Sequence, residues 1–249
     1  MIKIKHIFGY HTVVSALSIM PNEIRGIYLQ SKQYNRKDRE IIELAEKHHI
    51  SIRYLSRKEI DTIVPLTSHQ GVVAEVVYPG DYNEDHLKTI LEQHKLDAFL
   101  LILDGLQDPH NLGACLRTAN AAGVHAVIAP KDKACGLTPT VYKVASGAVG
   151  ITPIIQVTNL VRTIQFLKKH NIWVYGATEN AEQSIYKIEL KPPLALVFGA
   201  EGQGLRRLTR ENCDVLFKIP MQGTVANLNV SVAVGVGLFE VVHNNLDTL

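Results

Sequence analysis

The chain reads as an α/β protein built on a parallel sheet, on three observations. From Ala98 onward, short apolar runs alternate with helical patterns, the order that yields a parallel sheet with helices on its faces. The runs are apolar almost throughout, as strands buried on both faces are. Two of them, Leu194–Phe198 and Val215–Ile219, each end in a loop rich in Gly, Asn and Gln. Ligands of open α/β sheets sit beyond the carboxyl ends of such strands.

The second of those loops leads into Leu228–Leu238, which is apolar all round and carries Ala233, Gly235 and Gly237. A helix of that kind must be buried, and its small residues let other backbone come close. The abundance of Val also fits a strand. The start at Asn227-Leu228-Asn229 favours the helix, because Asn caps free N–H groups.

Taken in order, Phe8–Val14 opens a short amphipathic helix ending near Pro21, and Ile24–Gln30 is a strand. Arg36–His49 carries a helical stripe of Ile41, Ile42, Leu44 and Ala45. Ile50–Tyr54 is strand-like. Ser56-Arg57-Lys58-Glu59 fits a capping box that starts the next helix. Gly71–Tyr78 is a strand of Val and Ala. These elements make a small α/β domain over residues 1–78, and Tyr78–Asn83 breaks the pattern like a linker, assigned to 79–96. The domain at 97–249 then takes strands at Ala98–Leu103, His125–Ala129, Pro153–Val157, Ile172–Tyr175, Leu194–Phe198 and Val215–Ile219. Helices fall between them, among them Asn111–Ala122, closed by Gly123, and Asn159–His170.

Composition narrows the class. At 249 residues and 46% hydrophobic, the chain has an ordinary core. No apolar run approaches the ~20 residues of a membrane span. The amino-terminal tract is interrupted by His6, Tyr10 and His11, so it reads as mature protein. Three cysteines, Cys115, Cys135 and Cys213, without metal or disulfide spacing suit the cytoplasm. Residues 1–80 hold 11 Lys+Arg against 8 Asp+Glu, a net +3, and residues 81–249 hold 15 against 16, a net −1. Lys32, Arg36, Lys37 and Arg39 cluster in the basic part, as RNA-contacting residues or as an ordinary solvated surface.

Two stretches carry the candidate chemistry. In Asp104–Arg117 a polar loop hands over to a helix at Asn111, and Gly113 allows close approach. Arg117 lies six residues after Asn111. A buried Arg there binds phosphate or carboxylate bidentately; a capping Asn and a salt-bridged Arg are the commoner explanation of such a stretch. Gly199–Gly204 lacks the Lys and Ser/Thr of a P-loop and the third Gly of a dinucleotide fingerprint. It reads as a tight loop holding one carboxylate, Glu201. The 11 histidines show no paired ligand spacing, so no metal is expected.

Asn111-x-Gly113 with Arg117, the Phe198–Gly204 loop, and Ile219-Pro220-Met221 followed by Leu228–Ala233 resemble the three motifs of the SpoU (TrmH-type) RNA 2′-O-methyltransferases. Phe8–His11 and His69–Val72 are similar to the amino-terminal substrate domain of members acting on 23S rRNA. The resemblance implies a SPOUT-type α/β domain with a trefoil knot at its carboxyl end and an L30e-like domain that holds RNA. It implies S-adenosylmethionine held at Gly199, Ile219 and Leu228, helped by Thr178, Ala200 and Met221, with no metal. It implies catalysis by Arg117, with Asn111 and Glu201 fixing Arg117 or the ribose and Asn229 shaping the site. Transfer to a guanosine ribose in the peptidyl-transferase region of 23S rRNA and a homodimer through the last helix complete the expectation. A tRNA methyltransferase and an inactive RNA-binding factor are the alternatives. One departure stands out: the family usually has Ser where this chain has Asn227.

Overall fold

The computed structural model describes residues 3–19, 21–30, 36–64, 69–78 and 82–246. Two compact units are present, Met1–Asp81 with Ser146–Ile151, and Tyr82–Ala145 with Thr152–Leu249.

The first unit runs β1 (Lys3–Phe8), α1 (Tyr10–Ile19), β2 (Ile24–Gln30), α2 (Arg36–Lys47), β3 (Ile52–Leu55), α3 (Arg57–Ile63) and β4 (Val72–Tyr78). Its sheet order is β1-β4-β2-β3, with β4 antiparallel to both neighbours and β2 parallel to β3. β1 is an addition to the elements expected. Its alternation of Lys and Ile is a strand pattern, and the helix after it starts at Tyr10 rather than Phe8. The capping box is present: the Glu59 N–H donates to the Ser56 hydroxyl, and the Ser56 N–H donates to the Glu59 carboxylate at 2.7 Å. Phe8–His11 and His69–Val72 meet. The Gly9 N–H donates to the Val72 carbonyl at 3.0 Å, and the Tyr10 N–H to Gln70 Oε1 at 3.2 Å. Buried His69 accepts the Gly71 N–H on Nδ1 at 2.9 Å and turns Nε2 to Asp61 at 2.8 Å. It thereby fixes the left-handed turn at Gln70 and Gly71 that feeds β4.

The second unit contains α4 (Glu84–Gln93), β5 (Phe99–Asp104), α5 (Pro109–Ala121), β6 (Ala126–Pro130) and α6 (Pro139–Ala145). After α7 (Ala148–Ile151), which belongs to the first unit, come β7 (Ile154–Val157), α8 (Leu160–Lys169), β8 (Trp173–Ala177), β9 (Gln183–Ser184) and β10 (Leu194–Gly199). The chain closes with α9 (Arg207–Asn212), β11 (Val215–Lys218) and α10 (Val230–Asn244). All seven strands are parallel, in the order β7-β6-β5-β10-β8-β11-β9. The six expected strands are all present, each within two residues at either end. Part of the stretch expected as a linker, 79–96, is α4, whose Leu87 and Leu91 are buried in the core of this unit.

α10 settles the helix-or-strand question at the carboxyl end, with a correction. Asn229, not Asn227, is its cap, and the helix starts at Val230. Asn229 Oδ1 accepts the Ser231 N–H at 2.9 Å. The small residues act as expected at one point above all: a Cβ on Gly237 would lie 2.6 Å from Phe198 Cζ on β10. Gly113 plays the same part on α5, where a Cβ would lie 2.7 Å from Val144 Cβ and 3.1 Å from the Val141 carbonyl. The close approach at Gly113 is therefore to α6.

Gly237→Val should force Phe198 out of its place and cost about 1–3 kcal/mol, the usual range for overpacking. Urea denaturation should show a lower midpoint; an unchanged one would mean that α10 is not seated on β10.

Candidate functional site

The carboxyl ends of β8, β10 and β11 leave a cleft of about 240 Å³. Its walls come from three loops and the start of α10: Ala177–Asn180, Phe198–Leu205, Lys218–Met221, and Ala226–Leu228 with Val230 and Ala233. Each loop has a local cause. Gly199 ends β10 because the chain folds straight back on it: a Cβ there would lie 2.0 Å from the carbonyl carbon of Gly204. The Gly204 N–H donates to the Ala200 carbonyl at 2.8 Å, and Gly202 and Gly204 take positive φ, which glycine does without strain. Thr178 is tied to β11 by its N–H, which donates to the Phe217 carbonyl at 2.8 Å. Phe198 and Phe217 pack edge to face beneath, with ring centroids 6.0 Å apart.

Gly199, Ala200, Thr178, Ile219, Met221 and Leu228, the six residues assigned to the cofactor, all line this cleft, and so do Glu201 and Asn227. The two asparagines Asn111 and Asn229 meet Glu201 beside it. Asn229 Nδ2 donates to Glu201 Oε1 at 2.5 Å and to Asn111 Oδ1 at 3.0 Å, and the Val230 N–H reaches Glu201 Oε1 at 3.4 Å. Three motifs far apart in sequence converge on one amide. Asn111 does not cap α5. Asp108 does, accepting the His110 and Asn111 N–H groups at 3.1 and 3.2 Å. The signal for it was present in the sequence: an Asp followed by Pro109, a Pro at the first helical position.

Arg117 departs from expectation. It is exposed on α5 and makes no hydrogen bond or ion pair among the described residues. Asn111 and Glu201, expected to fix Arg117 or the ribose, bond to Asn229 and not to Arg117; Arg117 has its side chain in solvent because the buried face of α5 is spent on Leu112, Cys115, Leu116 and Ala119. Of the four basic residues assigned to RNA, Arg39 is exposed on α2. Lys32 and the side chains of Arg36 and Lys37 lie outside the described residues.

Burial pushes Cys115 and Cys213 up to about 12, so neither supplies a thiolate near neutral pH. Among the described residues, His94, Asp97 and His125 form a cluster able to approach a metal, but it lies away from the cleft, at the start of β5 and β6. The rings of His94 and His125 are stacked with centroids 3.7 Å apart, and His125 Nδ1 already accepts the Phe99 N–H. Nearly parallel imidazole planes do not converge on one ion.

Residues 98–239 match the model of the SpoU rRNA methylase family, and residues 6–79 match the model for RNA 2′-O ribose methyltransferase substrate binding. The chain is similar to the 23S rRNA (guanosine-2′-O-)-methyltransferase RlmB of Coxiella burnetii, 48% identical over 97% of this chain and 96% of the relative. It is likewise similar to RlmB of Pseudomonas putida, 46% identical over 98% of both chains. Among solved structures, the SpoU methyltransferase AviRb from Streptomyces viridochromogenes superposes with a TM-score of 0.78 at 21% identity, covering 98% of this chain and 91% of that one.

Asn229→Ala should remove a helix cap and leave the buried Asn111 carbonyl unpaired, at a cost of about 1–3 kcal/mol. Thermal unfolding should show the loss; an unshifted transition would mean that the Asn111–Asn229–Glu201 contacts do not hold the loops together.

Proposed function

We propose that this chain, which belongs to the SpoU rRNA methylase family, transfers a methyl group from S-adenosylmethionine to the ribose 2′-hydroxyl of a guanosine in 23S rRNA. One observation carries the reading: the second and third family motifs frame one cleft at the carboxyl ends of parallel strands, and Asn229 bonds Asn111 of the first motif beside it. Its near full-length similarity to RlmB supports the choice of RNA and nucleoside.

The cleft fits a nucleoside. Phe198, Phe217, Met221 and Leu228 give it apolar walls, and the close backbone at Gly199–Gly204 leaves peptide edges to be read. When bound, the cofactor supplies an electrophilic methyl group on a sulfonium, so the protein has only to align the acceptor and let a proton leave. Only RNA offers the 2′-hydroxyl. Arg117, exposed and without a polar partner among the described residues, orients that hydroxyl and neutralises a nearby phosphate. It is no general base, because a guanidinium does not deprotonate near neutral pH. Glu201, Asn111 and Asn229 hold the loops on which the ribose rests. The trefoil threading of the carboxyl end, a cytoplasmic site of action, and RNA binding by residues 1–78 with Lys32, Arg36, Lys37 and Arg39 belong to this reading.

The chain also acts as a homodimer through α10. Val232 and Phe239, seven residues apart on that helix, are 50% and 48% exposed. They lie on one face, since seven residues make two turns, and an apolar face of this kind is covered by a second copy.

Three outcomes are expected. The protein binds S-adenosylmethionine in chelator, measured by calorimetry. Arg117→Ala leaves that binding intact and lowers methylation of 23S fragments at least about ten-fold, as loss of a charge-assisted bond does; near-normal turnover would remove Arg117 from the reaction. Phe239→Glu shifts sedimentation to the monomer; an unchanged dimer would place the interface elsewhere.

A further inference from the structure

The cleft has a floor for a nucleoside, but an RNA strand also needs a place for its phosphates. We infer that the loops after β6 and β10, with the first residue of α9, carry a phosphate-binding rim, made by Lys131, Lys133, Arg206 and Arg207, that seats the RNA backbone next to the cleft. The inference rests on the proposed RNA-methylating function and adds residues to it.

These side chains come from distant parts of the sequence and are held in one place by specific bonds. The Cys135 N–H donates to the Leu106 carbonyl at 2.6 Å, which ties the β6–α6 loop to the β5–α5 loop. The Arg206 N–H donates to Asp104 Oδ2 at 2.9 Å, which ties the loop after β10 to the end of β5. Arg206 Nη2 donates to the Lys133 carbonyl at 3.4 Å, which closes the triangle. Gly105 lies at its centre. A Cβ there would lie 2.8 Å from Arg206 Nη2, and its φ of +82° suits glycine.

The charges are unevenly committed. Asp104 is 1% exposed. Its Oδ1 has no hydrogen-bond partner among the described residues and lies 3.5 Å from Arg206 Nε, at ion-pair distance. The buried carboxylate thus anchors Arg206 from below, while the guanidinium is exposed above it. Glu211, itself exposed, pairs with Arg207 at 2.8 Å along α9. The ammonium groups of Lys131 and Lys133 make no hydrogen bond or ion pair among the described residues, and both side chains are exposed. Guanidinium has five N–H donors, so one carboxylate leaves several for phosphate. Arg210, three residues past Arg207 on α9, lines the cleft itself. The rim therefore runs up to the cleft. Asp108, Asp132 and Glu201 are exposed carboxylates of the loops after β5, β6 and β10, and their presence favours a strand that places its phosphates on one side over a broad non-specific field.

The test uses the full chain with a 23S rRNA fragment. Lys131→Gln with Lys133→Gln is compared with wild type and with Lys95→Gln plus Lys169→Gln, two lysines at the opposite end of the sheet. The rim pair should raise the KM for RNA roughly five- to ten-fold and make the slope of log affinity against log salt shallower by about 1.4, two contacts at ~0.7 each. S-adenosylmethionine affinity should stay at the wild-type value. Arg207→Gln, at the start of α9, should give a smaller change in the same direction, independent of any local rearrangement at Lys133. Wild-type KM and salt slope in both rim variants, or an equal loss in the control pair, would overturn the rim while leaving the methylating function standing. Absence of methylation by wild type would instead strike that function, and the RNA affinities and salt slopes would still decide the rim.

Discussion

The contact on which the candidate site depends is backbone against backbone. Gly199 lies so close to Gly204 and Leu205 that any side chain at 199 would collide with main-chain atoms, 2.0 to 2.4 Å away. Main chain cannot give way as a flexible side chain can, so the fold-back of this loop requires glycine at 199. The consequence is positional. With the loop folded onto the end of β10, Glu201 reaches Asn229, and Asn229 is the residue from which α10 begins. α10 in turn is seated on β10 through Gly237 against Phe198. One strand end, its loop and the last helix thus form a closed mechanical circuit around the cleft.

Asn229 is chemically saturated in that circuit. Its two amide hydrogens go to Glu201 and Asn111, and its carbonyl accepts the Ser231 N–H and the Ser231 hydroxyl. A primary amide offers two donors and two lone pairs, and all four are used. Asp in its place would set a carboxylate against Glu201 and lose both donors. Ser would be too short and has one donor. The position therefore selects Asn for a reason separate from any contact with a ligand. Asn227, two residues earlier, is exposed beside the cleft and takes no part in the network. The change from the Ser usual in the family leaves these contacts intact.

Much of the fold was written plainly in the sequence, because buried parallel strands leave runs that solvent-facing segments do not imitate. Leu194–Phe198 and Ala98–Leu103 could hardly be anything else. The elements missed have weak signals for physical reasons. α4 presents only Leu87, Ile90 and Leu91 to the core, and it follows a Pro-Gly break that reads as a linker. β9 is two residues long, too short for any period. β1 was masked by its position at a chain end. Site residues were legible through the motifs, but their partners were not. Nothing in spacing says that Asn111 and Glu201 meet at Asn229, because that is set by how three strand ends lie side by side. The exposure of Arg117 follows from which face of α5 the core claims. Asp108 was readable from Asp-Pro alone and lost out to the more conspicuous Asn111.

Net charge misdirects when it is read over a whole domain. A balance of −1 for residues 81–249 suggests that attraction for a polyanion must come from residues 1–80, which carry +3. The placement of individual charges modifies that argument. Asp104 is buried beneath Arg206, and Glu211 lies along α9 against Arg207. Both count fully in the sum, yet they act chiefly to hold guanidinium groups in fixed positions. Lys95 and Lys169 also count fully, though they lie at the other end of the sheet. At a Debye length of about 8 Å in physiological salt, charges at opposite ends of a strand hardly see one another. What an approaching phosphate meets is the local arrangement, and at the carboxyl edge that arrangement includes guanidinium groups paired with carboxylates. The position of Arg206 is then set by where Asp104 has been buried, which a total charge does not register.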